Sequence, residues 1–280
     1  MALEREEWVS FSQLVRAGRN SIEPPGYHAM FFSYFDDSSD ERRERYFACG
    51  GLIGGEVQWD MLDVLWHSAT PDLEPFRSTE CECRQGQFRE WPKTACDLLM
   101  ETLVDILRCC KLSAFASIVP IADYREVFPE CARFDPYYLA VRHTIINTAH
   151  IGCSGGHHVK LCFEDNPATT PTTLKIYNEL KAISWMPALH LYGISFDSKK
   201  LCPLQASDLV AREAFKHIDN RGVRRTRIPM KRLSERSAFI LWNREALMHL
   251  RDNGGPANIE LLTSWEKTKP PRMPYFYNNF

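Results

Sequence analysis

The sequence lacks a long apolar run, an excess of either charge and any glycine-rich phosphate loop, and each absence removes a class of function. Its longest weakly polar stretch, Ser113 to Ala122, covers 10 positions and contains Pro120, where a membrane helix needs about 20. The first eight residues, Met-Ala-Leu-Glu-Arg-Glu-Glu-Trp, are charged and acidic, whereas a secretory leader is basic and then apolar. With 34 Lys and Arg against 36 Asp and Glu, the net charge is −2, so no whole-molecule field draws nucleic acid or anionic lipid. Gly50-Gly51-Leu52-Ile53-Gly54-Gly55 lacks the G-x-G-x-x-G spacing, and no G-x-x-x-x-G-K-[ST] occurs, which leaves nucleotide binding by those loops unsupported. Ten cysteines are present, but not as two pairs at zinc-ligand spacing. They read as reduced thiols used as small core residues. The expectation is a soluble, cytoplasmic protein with no membrane partner.

What is present is a chain able to build a core. Its 280 residues are 44% apolar, 25% charged and 12% aromatic, and a chain of this length buries roughly 75% of its unfolded surface. Residues 1–26 read as an N-terminal arm, 27–220 as the main domain, and 221–280 as a basic, then Pro-rich and aromatic C-terminal extension packed on it. Strands are expected at 28–35, 45–53 (with Gly50-Gly51 marking a bulge), 112–119, 159–163 and 189–196. Helices are expected at 56–66, 93–110, 135–151 (ended by Gly152), 172–184, 203–219 and from about Ser234. Residues 68–92 read as one long loop. A hairpin followed by alternating helices and strands implies an α/β fold with one mixed five-stranded sheet covered by helices.

Three expected strands end in an aspartate, Asp36, Asp165 and Asp197, and ligands of open α/β sheets sit beyond the carboxyl ends of strands. Aspartate is also a common strand-ending turn residue. Asp208 is less easily set aside. On a helical wheel from Leu204 it falls about 20° past Phe215, at the border of the apolar stripe. Its plain partner is Arg212, one turn on; a metal ion is the other. Gly152-Cys153-Ser154-Gly155-Gly156 fits the G-x-S-x-G box. That nucleophile elbow needs a strand before it and a helix after it, the reverse of the order here. Residues 216–236 form a basic stretch containing Lys216, Arg221, Arg224, Arg225, Arg227, Lys231, Arg232 and Arg236, suited either to phosphate contacts or to a solvated face.

Four segments resemble domain-of-unknown-function family 3800, which is grouped with ribonuclease-H-like folds. They are Tyr34-Phe35-Asp36-Asp37-Ser38, Phe76-Arg77-Ser78-Thr79-Glu80-Cys81 with the following Gly86, Phe88 and Trp91, Phe163-Glu164-Asp165-Asn166, and Pro203-Leu204-Gln205-Ala206-Ser207-Asp208-Leu209-Val210-Ala211-Arg212-Glu213. Asp37 stands where that family has Glu, Ser39 where it has Gly, and Arg77 where it often has His. The resemblance implies a ribonuclease-H-like sheet with acidic residues on the first strand, the fourth strand and the final core helix. By position these are Asp36, Asp165 and Asp208, with Glu80 from the long loop as a fourth and Asp37, Glu164, Asp197 and Glu213 as secondary acids.

The function expected on this basis is divalent-metal-dependent nucleic-acid hydrolysis. Asp36 would bridge two Mg²⁺ or Mn²⁺ ions about 4 Å apart. Asp165 and Asp208 would each complete one ion, and Glu80 would hold a metal or orient water. Arg212, Lys216, Arg224, Arg225 and Arg227 would meet the phosphates. The alternative is a non-catalytic nucleic-acid- or protein-binding module on the same fold. A protein partner or a homo-oligomer fits either reading.

Overall fold

The computed structural model describes residues 29–73, 75–129, 135–221, 225–233 and 237–258. The expected N-terminal arm and the Pro/aromatic tail lie outside them. The fold is α/β, a six-stranded mixed sheet in the order β5-β4-β1-β2-β3-β6. Strands β1 (Met30–Ser39), β2 (Tyr46–Gly55) and β3 (Ser113–Pro120) form an antiparallel meander. Beyond β1 come β4 (His158–Glu164) and β5 (Leu191–Asp197), both parallel to it, and beyond β3 comes β6 (Ser237–Leu241), parallel to β3.

The helices divide between the two faces by the alternation of strand side chains. One face buries Phe35, Phe47, Val159, Leu161 and Phe163 under α4 (Ile121–Val127), α5 (Pro136–Gly155), α6 (Thr170–Ala182) and α9 (Arg244–Asp252). The other buries Ala48, Leu52, Ala116 and Phe239 under α1 (Glu56–Ala69), α2 (Ser78–Cys83), α3 (Lys93–Cys109), α7 (Cys202–Asp219) and α8 (Ile228–Leu233). No helix among the described residues is long and apolar enough to cross a membrane.

The five expected strands are present, and several expectations are corrected. The sixth strand replaces the helix expected from about Ser234: Ser237–Leu241 is buried throughout and pairs with β3. Strand β1 does not stop at Phe35 but runs to Ser39, and the hairpin turns at Asp40, whose carboxylate accepts the N–H groups of Glu44 and Arg45. The long segment 68–92 contains α2 and a 3₁₀ turn at Gly86–Phe88. Helix α5 passes Gly152 and ends at Gly156, which takes the left-handed conformation at φ +69°.

Gly50 and Gly51 mark no bulge, since both pair in unbroken register with β1 and β3. Gly50 is required by a close approach: a Cβ there would lie 2.8 Å from Ala211 Cα, so α7 rests directly on the backbone of β2. Ser207 fastens the same helix to β1, its hydroxyl donating to the Tyr34 carbonyl at 2.8 Å. Gln205 fastens it to the segment before α2, its Oε1 accepting from Trp66 Nε1 and the Phe76 N–H, each at 3.0 Å. Gly50→Ala is expected to destabilise the fold by about 1–3 kcal/mol through overpacking. Gly193→Ala, where an added Cβ meets nothing within 4 Å, should be near neutral. Denaturant unfolding of the two variants checks the difference.

Candidate active site

Asp36 sits one residue past the last β1–β4 pair, Phe35↔Phe163, and opposite Gly50 on β2. Strand parity therefore turns it toward α7, and Glu164 and Asp197, next in the same row, share that face. Helix α7 brings Asp208 over this row. Both aspartates are buried, at 4% and 7% exposure, and both face a lysine from the turn between β5 and α7. Lys199 Nζ lies 2.8 Å from Asp36 Oδ2, 3.2 Å from Asp208 Oδ1 and 3.5 Å from Glu164 Oε2. Three carboxylates thus surround one ammonium.

The two aspartates are held in different electrostatic states. Asp208 Oδ2 accepts both the N–H and the hydroxyl of Ser78, each at 2.6 Å. Burial opposes its ionisation, but Lys199 and these donors overcome it and hold its carboxyl below the ordinary range. Asp36 receives one backbone hydrogen bond, from Asp37 N–H at 2.8 Å. Its Oδ2 is close to the ammonium without an aligned hydrogen bond. Burial pushes its carboxyl well above the usual range despite Lys199, and the neighbouring Asp208, Asp37 and Glu164 push the same way. The surrounding acids raise Lys199 against the effect of its own burial.

The other expected acids fall elsewhere. Asp165 is exposed and one step out of register with this row. Its Oδ1 accepts from Thr170 at the start of α6, so the β4 carboxylate that reaches the lysine is Glu164. Asp37 turns to the opposite face beside Cys49 and Tyr137, and burial raises its carboxyl. Asp197 is exposed and accepts from its neighbour Ser198. Glu80 does not join the cluster. Two helical residues turn through about 200°, so Ser78 facing Asp208 sends Glu80 away, against Gly86, where an added Cβ would lie 2.4 Å from its carboxylate.

The basic residues are also redistributed. Arg212 is buried and pairs not with Asp208 but with Glu82, at 2.7 Å from Nε and 2.5 Å from an Nη. Arg227 joins Glu82 at 2.7 Å and Glu213 at 3.0 Å, and Lys216 lies 3.5 Å from Glu82. Three of the five expected phosphate-binding cations therefore neutralise an internal acid pair. Arg225 is exposed, and Arg224 lies outside the described residues. The cations hold Glu82 below its ordinary range, whereas burial pushes Glu213 up to about 7 from an ordinary 4.5.

Sequence reasoning missed Lys199, Ser78 and Glu82. A lysine pair between a strand and a helix reads as a solvated turn, and nothing in the spacing shows that Lys199 folds inward. Comparison of the chain with protein-family models, with curated proteins and with solved structures finds no match in any of the three.

Two outcomes follow from these electrostatics. Asp208→Asn should destabilise by about 1.5–3 kcal/mol, the range for losing hydrogen bonds to a charged group. Asp36→Asn should cost less, because the buried charge it removes is already disfavoured; equal losses in denaturant unfolding at pH 7 would contradict the assignment. For Glu213, the unfolded carboxyl ionises near 4.5 while the folded one keeps its proton to about 7. Its contribution to stability therefore falls as pH rises through that window. Glu213→Gln should flatten that decline, read from thermal midpoints of both proteins between pH 4.5 and 8.

Proposed function

We propose that the chain is a divalent-metal-dependent nuclease, or a related phosphoryl-transfer enzyme, on a ribonuclease-H-like fold. The supporting observation is the meeting of Asp36, Glu164 and Asp208 from the first strand, the fourth strand and the long helix α7. That is the placement implied by the resemblance to domain-of-unknown-function family 3800, with Glu164 in place of Asp165 as the β4 ligand. The donors are hard oxygens, which suit Mg²⁺ or Mn²⁺ better than zinc. Three carboxylates against one ammonium leave surplus negative charge for a cation. The proposed ligand set is therefore Asp36, Glu164 and Asp208, without Asp165 or Glu80.

When bound, such a cation polarises a phosphoryl oxygen and lowers the pKa of a coordinated water. The chain's own residues set the conditions for this. Ser78 fixes the Asp208 carboxylate in its ionised form, and strand register aligns Asp36 with Glu164. Lys199 competes with the cation for all three carboxylates. Once displaced from them, its ammonium is a counter-charge for a substrate phosphate. Nucleic acid is the proposed partner, in the cytoplasm, a setting that fits the free thiols of the nine described cysteines.

The second reading is a non-catalytic nucleic-acid- or protein-binding module. It is favoured by the occupation of the cluster by Lys199 and by the internal use of Arg212, Lys216 and Arg227. A mixed DNA and RNA panel incubated with Mn²⁺, Mg²⁺ or EDTA separates the readings. Cleavage that needs metal and is lost in folded Asp36→Asn and Asp208→Asn is the expected result. Cleavage retained in Asp36→Asn, or insensitive to EDTA, rejects the site. No cleavage and no metal-induced thermal shift in the folded wild type favours the binding module.

A further inference from the structure

A second group of potential ligands lies away from the acidic cluster and has a different chemistry. Asp63 and His67 stand one turn apart on α1, and Cys202 is the first residue of α7. One ligand atom from each side chain lies within 4.8 Å of the other two. Cys202 Sγ is 3.5 Å from His67 Nδ1 and 3.6 Å from Nε2, and His67 Nδ1 is 3.5 Å from Asp63 Oδ1. A tetrahedral zinc-type ion has bonds of about 2.0–2.1 Å to nitrogen and oxygen and about 2.3 Å to sulfur, which sets its ligand atoms roughly 3.3–3.6 Å apart. The 3.6 Å between Cys202 Sγ and His67 Nε2 matches that spacing, and the Asp63 carboxylate lies within 4.8 Å of the group.

The histidine is also in the right form. His67 Nδ1 lies 2.8 Å from the Asp63 backbone carbonyl. A carbonyl can only accept, so the neutral ring carries its proton on Nδ1 and leaves the Nε2 lone pair free. Hydrogen bonding of one ring nitrogen to a carbonyl is the usual way a metal-bound imidazole is fixed. The carboxylate and the imidazole are exposed while the thiol is buried, so an ion can enter from solvent and settle on the sulfur. Binding of an ion to the sulfur would release the thiol proton.

We propose that Asp63, His67 and Cys202 form a binding site for a first-row transition-metal cation of the zinc class, each supplying one ligand and water the fourth. The mixed oxygen, nitrogen and sulfur donors select this class over Mg²⁺ or Mn²⁺. Cys202 lies 135 residues from His67, too far for a spacing motif, so the absence of paired cysteines does not bear on this site. The ion would join α1 to the first turn of α7, three residues after Lys199. It would thus tether the turn that carries the ammonium into the acidic cluster.

Cobalt(II) titration of the metal-free, reduced full-length chain tests the site. The expected result is a thiolate-to-cobalt charge-transfer band that saturates at one equivalent, with visible bands of tetrahedral intensity. Zn²⁺ should remove both, and excess Mg²⁺ should not. Cys202→Ser should abolish the charge-transfer band, and His67→Ala, a change at an exposed position, should weaken binding at least tenfold. Asp36→Asn should leave the spectrum unchanged, which separates this site from the acidic cluster. Zn²⁺ should also protect Cys202 from alkylation in the wild type. No charge-transfer band in the wild type, a band that persists in Cys202→Ser, or equal binding by wild type and His67→Ala would each overturn the proposal.

Discussion

The approach of α7 to the backbone of β2 at Gly50 is the contact on which the rest of the site depends. With no side chain at Gly50, the helix comes close enough for Ser207 to reach the Tyr34 carbonyl, and that contact brings Asp208 over the row occupied by Asp36. The same closeness buries the helix nearly all round, so Asp208, Arg212 and Glu213 cannot turn to water. Each is neutralised from a different part of the chain: Lys199 after β5, Glu82 on α2, Arg227 before α8. These pairings tie the covering elements to one helix.

The two charged clusters on α7 differ in sign. Around Glu82 and Glu213, three cations face two acids; around Lys199, one cation faces three. In the first, cations pull Glu82 down and an unfavourable burial raises Glu213. In the second, Asp208 takes two hydrogen bonds from Ser78 besides Lys199, while burial outweighs Lys199 at Asp36, so their proton affinities move in opposite directions. Splitting of this kind lets two acids sit side by side without both bearing full charge. It also leaves Asp36 as the carboxylate that gains most from an added cation.

The strands and the wheel position of Asp208 were legible because periodicity and strand-end aspartates are local signals. What failed needed knowledge of parity or of distant partners. Glu164 and Asp165 are adjacent, and only the registration of β4 on β1 decides which one faces α7. The basic residues at 212, 216 and 227 looked available because their partner, Glu82, lies in a segment read as a loop. Gly50-Gly51 suggested a bulge because glycine weakens a strand, whereas its role is to admit a helix. Lys199, Ser78 and Cys202 carry no spacing signature, since each meets its partners by tertiary packing alone.

Packing explains Gly50, Gln205 and Ser207 completely, but not the collection of charge at Lys199. Gln205 and Ser207 keep their bonds whatever occupies position 208, and buried ion clusters replaced by apolar side chains often leave a protein equally stable or more so. The fold therefore does not require Asp36, Glu164, Asp208 and Lys199 as a set. Burying them is a cost, visible in the raised Asp36 carboxyl. Glu164 keeps 24% of its side chain exposed, so the set opens to solvent where parallel strands end. A cation-deficient group of oxygens beyond the ends of parallel strands stands where ligands of open α/β sheets sit, and the proposed function rests on that placement rather than on any contribution of the set to stability.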